Sequence, residues 1–128
     1  MDLKRIRVLS VEDEPDLQRL LSFALKEDEF EVHLAYDGPQ GFQKAVALKP
    51  HVILCDLMLP KYDGRELIVR LKDYPGTKDI PVIVITAYAA EERFSEAAMR
   101  ELGVRHYLRK PVPNDRLVRL LRETAAPR

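Results

Sequence analysis

Short apolar runs alternate with longer stretches that carry apolar residues at helical spacing, from one end of this chain to the other. Residues 6–11 read as a first strand. Residues 16–26 then place Leu17, Leu20, Leu21, Ala24 and Leu25 on one helical stripe. Pro15 suits the first turn, where the N–H it lacks would have no intrahelical acceptor. Residues 31–36 alternate, with Val32, Leu34 and Tyr36 on one face, as an edge strand would. A second helix follows over 39–48, with Phe42, Ala45 and Val46 inward. Residues 51–55 are almost continuously apolar, the pattern of a strand covered on both faces.

The second half repeats the alternation. Asp63-Gly64 opens a third helix carrying Leu67, Ile68 and Leu71, and Pro75-Gly76 breaks it. Residues 81–86 form a fourth strand. A fourth helix is expected over 90–102, stopped by Gly103 as its C′ residue. Residues 106–109 are a short fifth strand, and 114–124 a last helix with Leu117, Val118, Leu120 and Leu121 apolar. Residues 125–128 read as a frayed tail.

Five βα units without internal repeats predict a single α/β domain across all 128 residues, its core running from about 5 to 122. Right-handed crossovers make it a three-layer sandwich with helices on both faces of a parallel sheet. In the flavodoxin-like order 2-1-3-4-5, the winding direction switches between the first and third strands. Ligands bind there, beyond the strands' carboxyl ends.

The residues that close the strands carry the chemistry. The first runs into Glu12-Asp13-Glu14-Pro15. The third runs into Asp56, which opens the stretch Asp56-Leu57-Met58-Leu59-Pro60-Lys61-Tyr62-Asp63-Gly64. Thr86-Ala87 follows the fourth strand and Lys110-Pro111 the fifth. If the strands are parallel, Glu12, Asp13, Asp56, Thr86 and Lys110 meet at one sheet edge. Two carboxylates ~5 Å apart repel by roughly 3 kcal/mol at an effective dielectric of ~20. A raised carboxyl pKa or a bound cation relieves this. Mg²⁺ suits such a site because it takes oxygen ligands and keeps part of its water. Zinc does not, because His33, His51 and His106 are scattered. Asp56 is then a plausible phosphoryl acceptor, and Thr86 a hydrogen-bond donor to the phosphoryl oxygens.

Composition narrows the partners. The 21 basic and 21 acidic residues cancel, so bulk charge gives no reason to expect nucleic-acid or anionic-membrane binding. One cysteine, Cys55, cannot form an internal disulfide, and no apolar signal-like or membrane-spanning stretch is present. A cytoplasmic protein is expected. From Arg93 onward basic residues outnumber acidic ones.

These motifs, in this order, resemble the receiver domain of two-component response regulators over about residues 5 to 122. The resemblance implies that Asp56 is phosphorylated by a histidine kinase or a phosphotransfer protein. It implies Mg²⁺ held by Asp13, Asp56 and the Met58 carbonyl, with Glu12 acting through water. Lys110 would pair with the acidic cluster and then the phosphoryl group, and Lys110-Pro111 would be cis. Thr86 and Tyr107 would form the switch that reshapes an output face made of the fourth helix, fifth strand and last helix. Downstream lies an effector protein or a linked output domain, with a phosphorylation-dependent dimer as an option. No turnover enzyme is implied beyond self-catalysed phosphoryl transfer and autodephosphorylation.

Some positions depart from the family pattern. Arg105-His106 stand where many DNA-binding members have Asp-Asp, Val112 where Phe is common, and Pro113 where Ser or Thr is common. The output face is therefore expected to use arginines, Arg105 and Arg109 among them, to dock an acidic partner. Met58 and Tyr88 would flank the phosphoryl group and shield it from water, prolonging the phosphorylated state. Three rival readings remain. An aspartate-nucleophile hydrolase would want a second acid where Met58 stands. A flavin or nucleotide module would want glycines where Glu12-Asp13-Glu14-Pro15 stands. A degenerate receiver would bind partners without phosphorylation.

Overall fold

The computed structural model describes residues 5–87 and 91–125. Strand and helix alternate as β1 (Ile6–Val11), α1 (Pro15–Ala24), β2 (Phe30–Ala35), α2 (Gly38–Leu48), β3 (Val52–Cys55), α3 (Gly64–Asp73) and β4 (Val82–Thr86). A 3₁₀ turn (Glu92–Phe94), α4 (Glu96–Glu101), β5 (His106–Arg109) and α5 (Asn114–Ala125) complete the fold. The five strands form one sheet in the order β2-β1-β3-β4-β5, every neighbouring pair parallel. This is the predicted flavodoxin-like arrangement.

Register decides which residues leave the sheet side by side. Val11 lies opposite Cys55, so the next residues, Glu12 and Asp56, emerge from adjacent strands. The Asp56 N–H continues the ladder by donating to the Val11 carbonyl at 3.1 Å. Thr86 lies opposite Arg109, and the Lys110 N–H donates to the Thr86 carbonyl at 3.0 Å.

Strand residues alternate between the two faces of the sheet. Leu9, Val11, Ile53, Cys55, Val82 and Val84 join one buried cluster with Leu67, Ile68 and Leu71 of α3. Val8, Val52, Leu54, Ile83 and Leu108 join the other with Leu117 and Leu121 of α5. All four residues of β3 are buried, as its apolar run predicts. Among the described residues, no helix is long and apolar enough to cross a membrane.

Three elements differ from the sequence expectation. In α1 the inward stripe contains Gln18, 1% exposed, while Leu20 is 65% exposed. The helix stops at Ala24, two residues before its predicted end, and Leu25 turns extended yet remains buried. Strand β2 starts one residue early and buries Phe30 and Ala35, leaving Tyr36 exposed. The expected fourth helix over 90–102 is divided. Ser95 adopts an extended conformation and its Oγ accepts the Ala98 N–H at 3.1 Å, so α4 restarts after it. A serine stabilises a helix more as an N-cap than as an interior residue. The interruption also lets Phe94 reach the core, where it is 1% exposed. Gly103 follows α4 at φ +90°, as its predicted stop requires.

Helix α3 is held against the loop after β3 by a close backbone approach. Asp63 caps it by accepting the Glu66 N–H at 2.9 Å, and the Gly64 N–H donates to the Leu57 carbonyl at 2.9 Å. A Cβ on Gly64 would lie 2.2 Å from the Asp56 carbonyl oxygen and 2.8 Å from the Leu57 Cα. Neither backbone atom can rotate away. Gly64→Ala is therefore expected to destabilise the domain by about 1–3 kcal/mol, the usual cost of overpacking. Urea denaturation measures this, and an unshifted midpoint would mean that the loop yields.

Candidate functional site

The strand ends build the site in the order the register dictates. Asp56 leaves β3 at the sheet's carboxyl edge and is 7% exposed. Its Oδ1 accepts the Met58 N–H at 3.1 Å and the Thr86 Oγ1 hydroxyl at 3.2 Å. Its Oδ2 takes the Lys110 Nζ at 2.6 Å. Glu12, leaving β1 and also 7% exposed, accepts the same Nζ on Oε1 at 2.5 Å and the Glu14 N–H on Oε2 at 3.1 Å. One half-buried ammonium thus bridges two buried carboxylates from different strands.

The charge states follow. Burial pushes the Glu12 carboxyl up to about 7; Lys110 opposes this and the Asp56 charge adds to it. Burial alone would lower the Lys110 pKa, but the hydrogen bonds and charges of Asp56 and Glu12 outweigh it and hold the ammonium above its usual range. Cys55, one residue before Asp56, is fully buried, and desolvation pushes its thiol up, so it is an inert core group.

The structure therefore brings together Glu12, Asp56, Thr86 and Lys110. Asp13 is exposed. Among the described residues, no three His, Cys, Asp or Glu side chains are close enough to hold a metal ion by themselves. Lys110 engages Glu12 and Asp56 directly, and Glu12, Asp13, Asp56 and the Met58 carbonyl remain the expected oxygen donors. The donors still fit a hard divalent cation. Every candidate is an oxygen, and two buried carboxylates face one ammonium. An ion that retains waters does not need a closed protein cage.

Tyr107 lies opposite Val84 in the sheet, half-buried, with its hydroxyl donating to the Phe94 carbonyl at 2.8 Å. Burial raises its pKa. Met58 keeps a 46% exposed side chain. Tyr88 lies outside the described residues. The Lys110-Pro111 bond is cis.

Sequence reasoning missed Gln18. Its Nε2 faces three carbonyl oxygens, those of Ser10 at 3.0 Å, Glu12 at 3.1 Å and Ala35 at 3.0 Å. The Ser10 hydroxyl donates to its Oε1 at 2.8 Å, which fixes the orientation of the amide. This one side chain ties α1 to the ends of β1 and β2 and holds the backbone of Glu12. The available signal was a lone amide at helical spacing with Leu21 and Leu25, where an unsatisfied polar group would be costly. A groove of about 260 Å³ beside it, lined largely by apolar residues including Leu17, Leu54, Val112 and Leu117, reaches Asp56 and Lys110.

Comparison with known proteins agrees with this geometry. The family model for the response regulator receiver domain matches residues 8–122. The alkaline phosphatase synthesis transcriptional regulatory protein PhoP of Bacillus subtilis is 35% identical, over 94% of this chain and 51% of its own length. The chain thus spans about half of that relative. A solved sensor protein from Polaromonas sp. JS666 is 30% identical with TM-score 0.84, covering 95% of this chain and 97% of that one. The receiver domain of a sensor histidine kinase from Pseudomonas aeruginosa PAO1, solved with a magnesium ion coordinated in its active-site cleft, is 27% identical with TM-score 0.83, covering 95% and 98%.

The raised Glu12 pKa has a measurable consequence. Between the ordinary 4.5 and about 7, the folded state holds a proton that the unfolded chain has released. This contribution therefore makes stability fall as pH rises through that window. Glu12→Gln is expected to flatten the slope in chelator-treated protein, measured by urea unfolding at stepped pH. An unchanged slope would show that Glu12 does not titrate there.

Proposed function

The chain belongs to the response regulator receiver family, and on that premise we propose that it is a phosphorylation switch with Asp56 as phosphoacceptor. The observation that carries this reading is the pair of contacts on Asp56: Lys110 at 2.6 Å on one oxygen and Thr86 at 3.2 Å on the other. A carboxylate held between an ammonium and a hydroxyl can attack a phosphoryl group and keep its donors close as charge moves outward.

The donor is a phosphohistidine on a kinase or phosphotransfer protein. An Asp56 oxygen forms the new P–O bond, the P–N bond breaks, and the imidazole leaves with its electron pair and takes up a proton. Lys110 follows the negative charge from the carboxylate to the phosphoryl oxygens. Thr86 gives up its bond to Asp56 Oδ1 and donates to a phosphoryl oxygen. Asp13, Asp56 and the Met58 carbonyl would hold Mg²⁺, which neutralises phosphoryl charge when bound. Freed from Glu12 in this way, Lys110 no longer offsets the burial of that carboxyl.

Thr86 and Tyr107 lie diagonally on paired strands, two residues out of register, because Tyr107 faces Val84 and Arg109 faces Thr86. A shift of Thr86 therefore works directly on β5 and on the Tyr107–Phe94 bond, and through them on the α4–β5–α5 face. The output is an effector protein or a linked domain, and the setting cytoplasmic. The degenerate alternative is less well supported, since Asp56, Thr86 and Lys110 are all in mutual contact.

Donor docking has a surface of its own. Leu20 and Phe23 on α1 are 65% and 91% exposed, and Leu20 also lines the groove that reaches Asp56. Two exposed apolar side chains on the helix that lines the groove suit the helices of a phosphodonor protein.

Intact-protein mass after incubation with a small acyl phosphate and Mg²⁺ tests the chemistry. One adduct is expected, absent in Asp56→Asn; an adduct that persists in the variant would sink the assignment. Phe23→Ser tests the docking. Phosphorylation by a histidine kinase is expected to slow at least tenfold, about 1.4 kcal/mol in free energy, with the small-donor reaction unchanged. Equal loss with both donors would remove Phe23 from the docking surface.

A further inference from the structure

The groove that reaches Asp56 is a gap in the core between α1 and α5. Leu17 and Leu21 of α1, Leu117 of α5, Leu54 of β3, Ile85 of β4 and Val112 after β5 line it. Ile85 lies in an inner strand between buried Val84 and Thr86, yet it is only half-buried, because the two helices do not close over it. The space is about 260 Å³. A dry apolar cavity of roughly 150 Å³ already holds benzene, so one ring with a short arm fits here. A partner's helix, about 10–12 Å across with its side chains, does not. The inner end of the groove is polar and acidic. Among the described residues, Glu12 and Asp56 are its acidic lining groups and Lys110 its one basic group. With both carboxylates ionised, negative charge exceeds positive, and the exposed Asp13 and Glu14 adjoin it. The neutral polar residues beside them have the same bias. The Ser10 hydroxyl spends its hydrogen on Gln18 Oε1, and the Gln18 amide spends its hydrogens on three carbonyl oxygens. Both therefore have only acceptor capacity left to offer.

We propose that this groove is a binding site for a small primary amine with an apolar body, an arylalkylammonium ion, whose ring lies between α1 and α5 and whose ammonium group reaches Glu12 and Asp56. The two ends of such a molecule match the two ends of the groove. Burying the ring removes apolar surface of ligand and protein from water together. The ammonium group brings three donors to a place that offers acceptors, and a positive charge to a place with negative charge in excess. Apolar walls with a few convergent polar groups are the usual make-up of a small-molecule site. An anionic amphiphile does not fit, because its head would meet carboxylates that already outnumber Lys110. A small ammonium ion without a ring leaves the apolar walls in water. The proposal uses only the position and charge of Asp56, so it does not rest on that residue accepting a phosphoryl group.

The test titrates the full chain, in chelator, with 2-phenylethylamine, followed by amide and methyl shifts in NMR. Phenylacetate, which carries the opposite charge, and ethylamine, which lacks the ring, are the comparison probes. Phenylethylamine is expected to bind saturably and to shift Leu17, Leu21, Leu54, Val112 and Leu117, with each comparison probe weaker by about tenfold or more. Val112→Phe and Leu17→Phe each fill the groove from a half-buried position. Each is expected to cut affinity by about tenfold or more, since the ring and the new side chain need the same space. Tyr74→Ser, on the far side of the sheet, should leave binding intact. The amide spectrum of each variant reports its fold, and the second filling variant decides the matter if the first is misfolded. Any of three results would overturn the site: phenylacetate or ethylamine binding as tightly as phenylethylamine, shifts confined to residues outside the groove, or parent affinity in a folded filling variant.

Discussion

The bond on which the rest depends is the one that Lys110 makes to two carboxylates at once, 2.5 Å to Glu12 and 2.6 Å to Asp56. Taking three charges out of water is expensive, and their attraction offsets the cost only when geometry is good and the remaining oxygens are satisfied. Here they are: Asp56 Oδ1 has Met58 and Thr86, and Glu12 Oε2 has the Glu14 N–H. The arrangement joins residues 98 positions apart and fastens the ends of β1, β3 and β5 together. With both carboxylates ionised it leaves one negative charge in excess, and burial of that charge raises the Glu12 pKa. Stability and chemistry are therefore supplied by the same contacts.

Such a cluster holds its geometry only on a rigid backbone, and two packing features supply one. Gln18 donates to carbonyl oxygens at the ends of β1 and β2, that of Glu12 among them, so the acidic turn begins from a fixed carbonyl. Gly64 lets α3 approach the Asp56 carbonyl to a distance no side chain permits. One residue sits on a helix before Asp56, the other on a helix after it, and both act on main-chain atoms. Neither would be recognised by its chemistry alone, because neither offers a charge or a nucleophile. Together they hold the carboxylates at the positions that the sheet register sets.

Function is spread over surfaces of different character. Around α1, apolar side chains stand exposed next to the groove that opens on Asp56. Around β5 and α5, arginines stand exposed. Strand β5 connects them to the acceptor, since Arg109 faces Thr86 across the sheet and Tyr107 reaches back to Phe94.

Strand order and the identity of the carboxyl-edge residues were legible in the chain because both rest on local pattern. Apolar periodicity marked each strand, and a polar residue directly after it had to lie at the same edge once the strands ran parallel. Glu12, Asp56, Thr86 and Lys110 were found in that way. Periodicity could not tell Leu20 from Gln18, because both lie near the helical stripe and only packing against β1 and β2 decides which one turns inward. Nor could it divide the fourth helix, since the gain from Ser95 as a cap and Phe94 as a core residue exists only once the core is assembled. The burial of Glu12, which raises its carboxyl pKa against the pull of Lys110, was likewise decided by tertiary structure. The sequence by itself determined which groups reach the edge. Distance and desolvation, which arise only in the folded chain, decided which of them touch and what charge they carry.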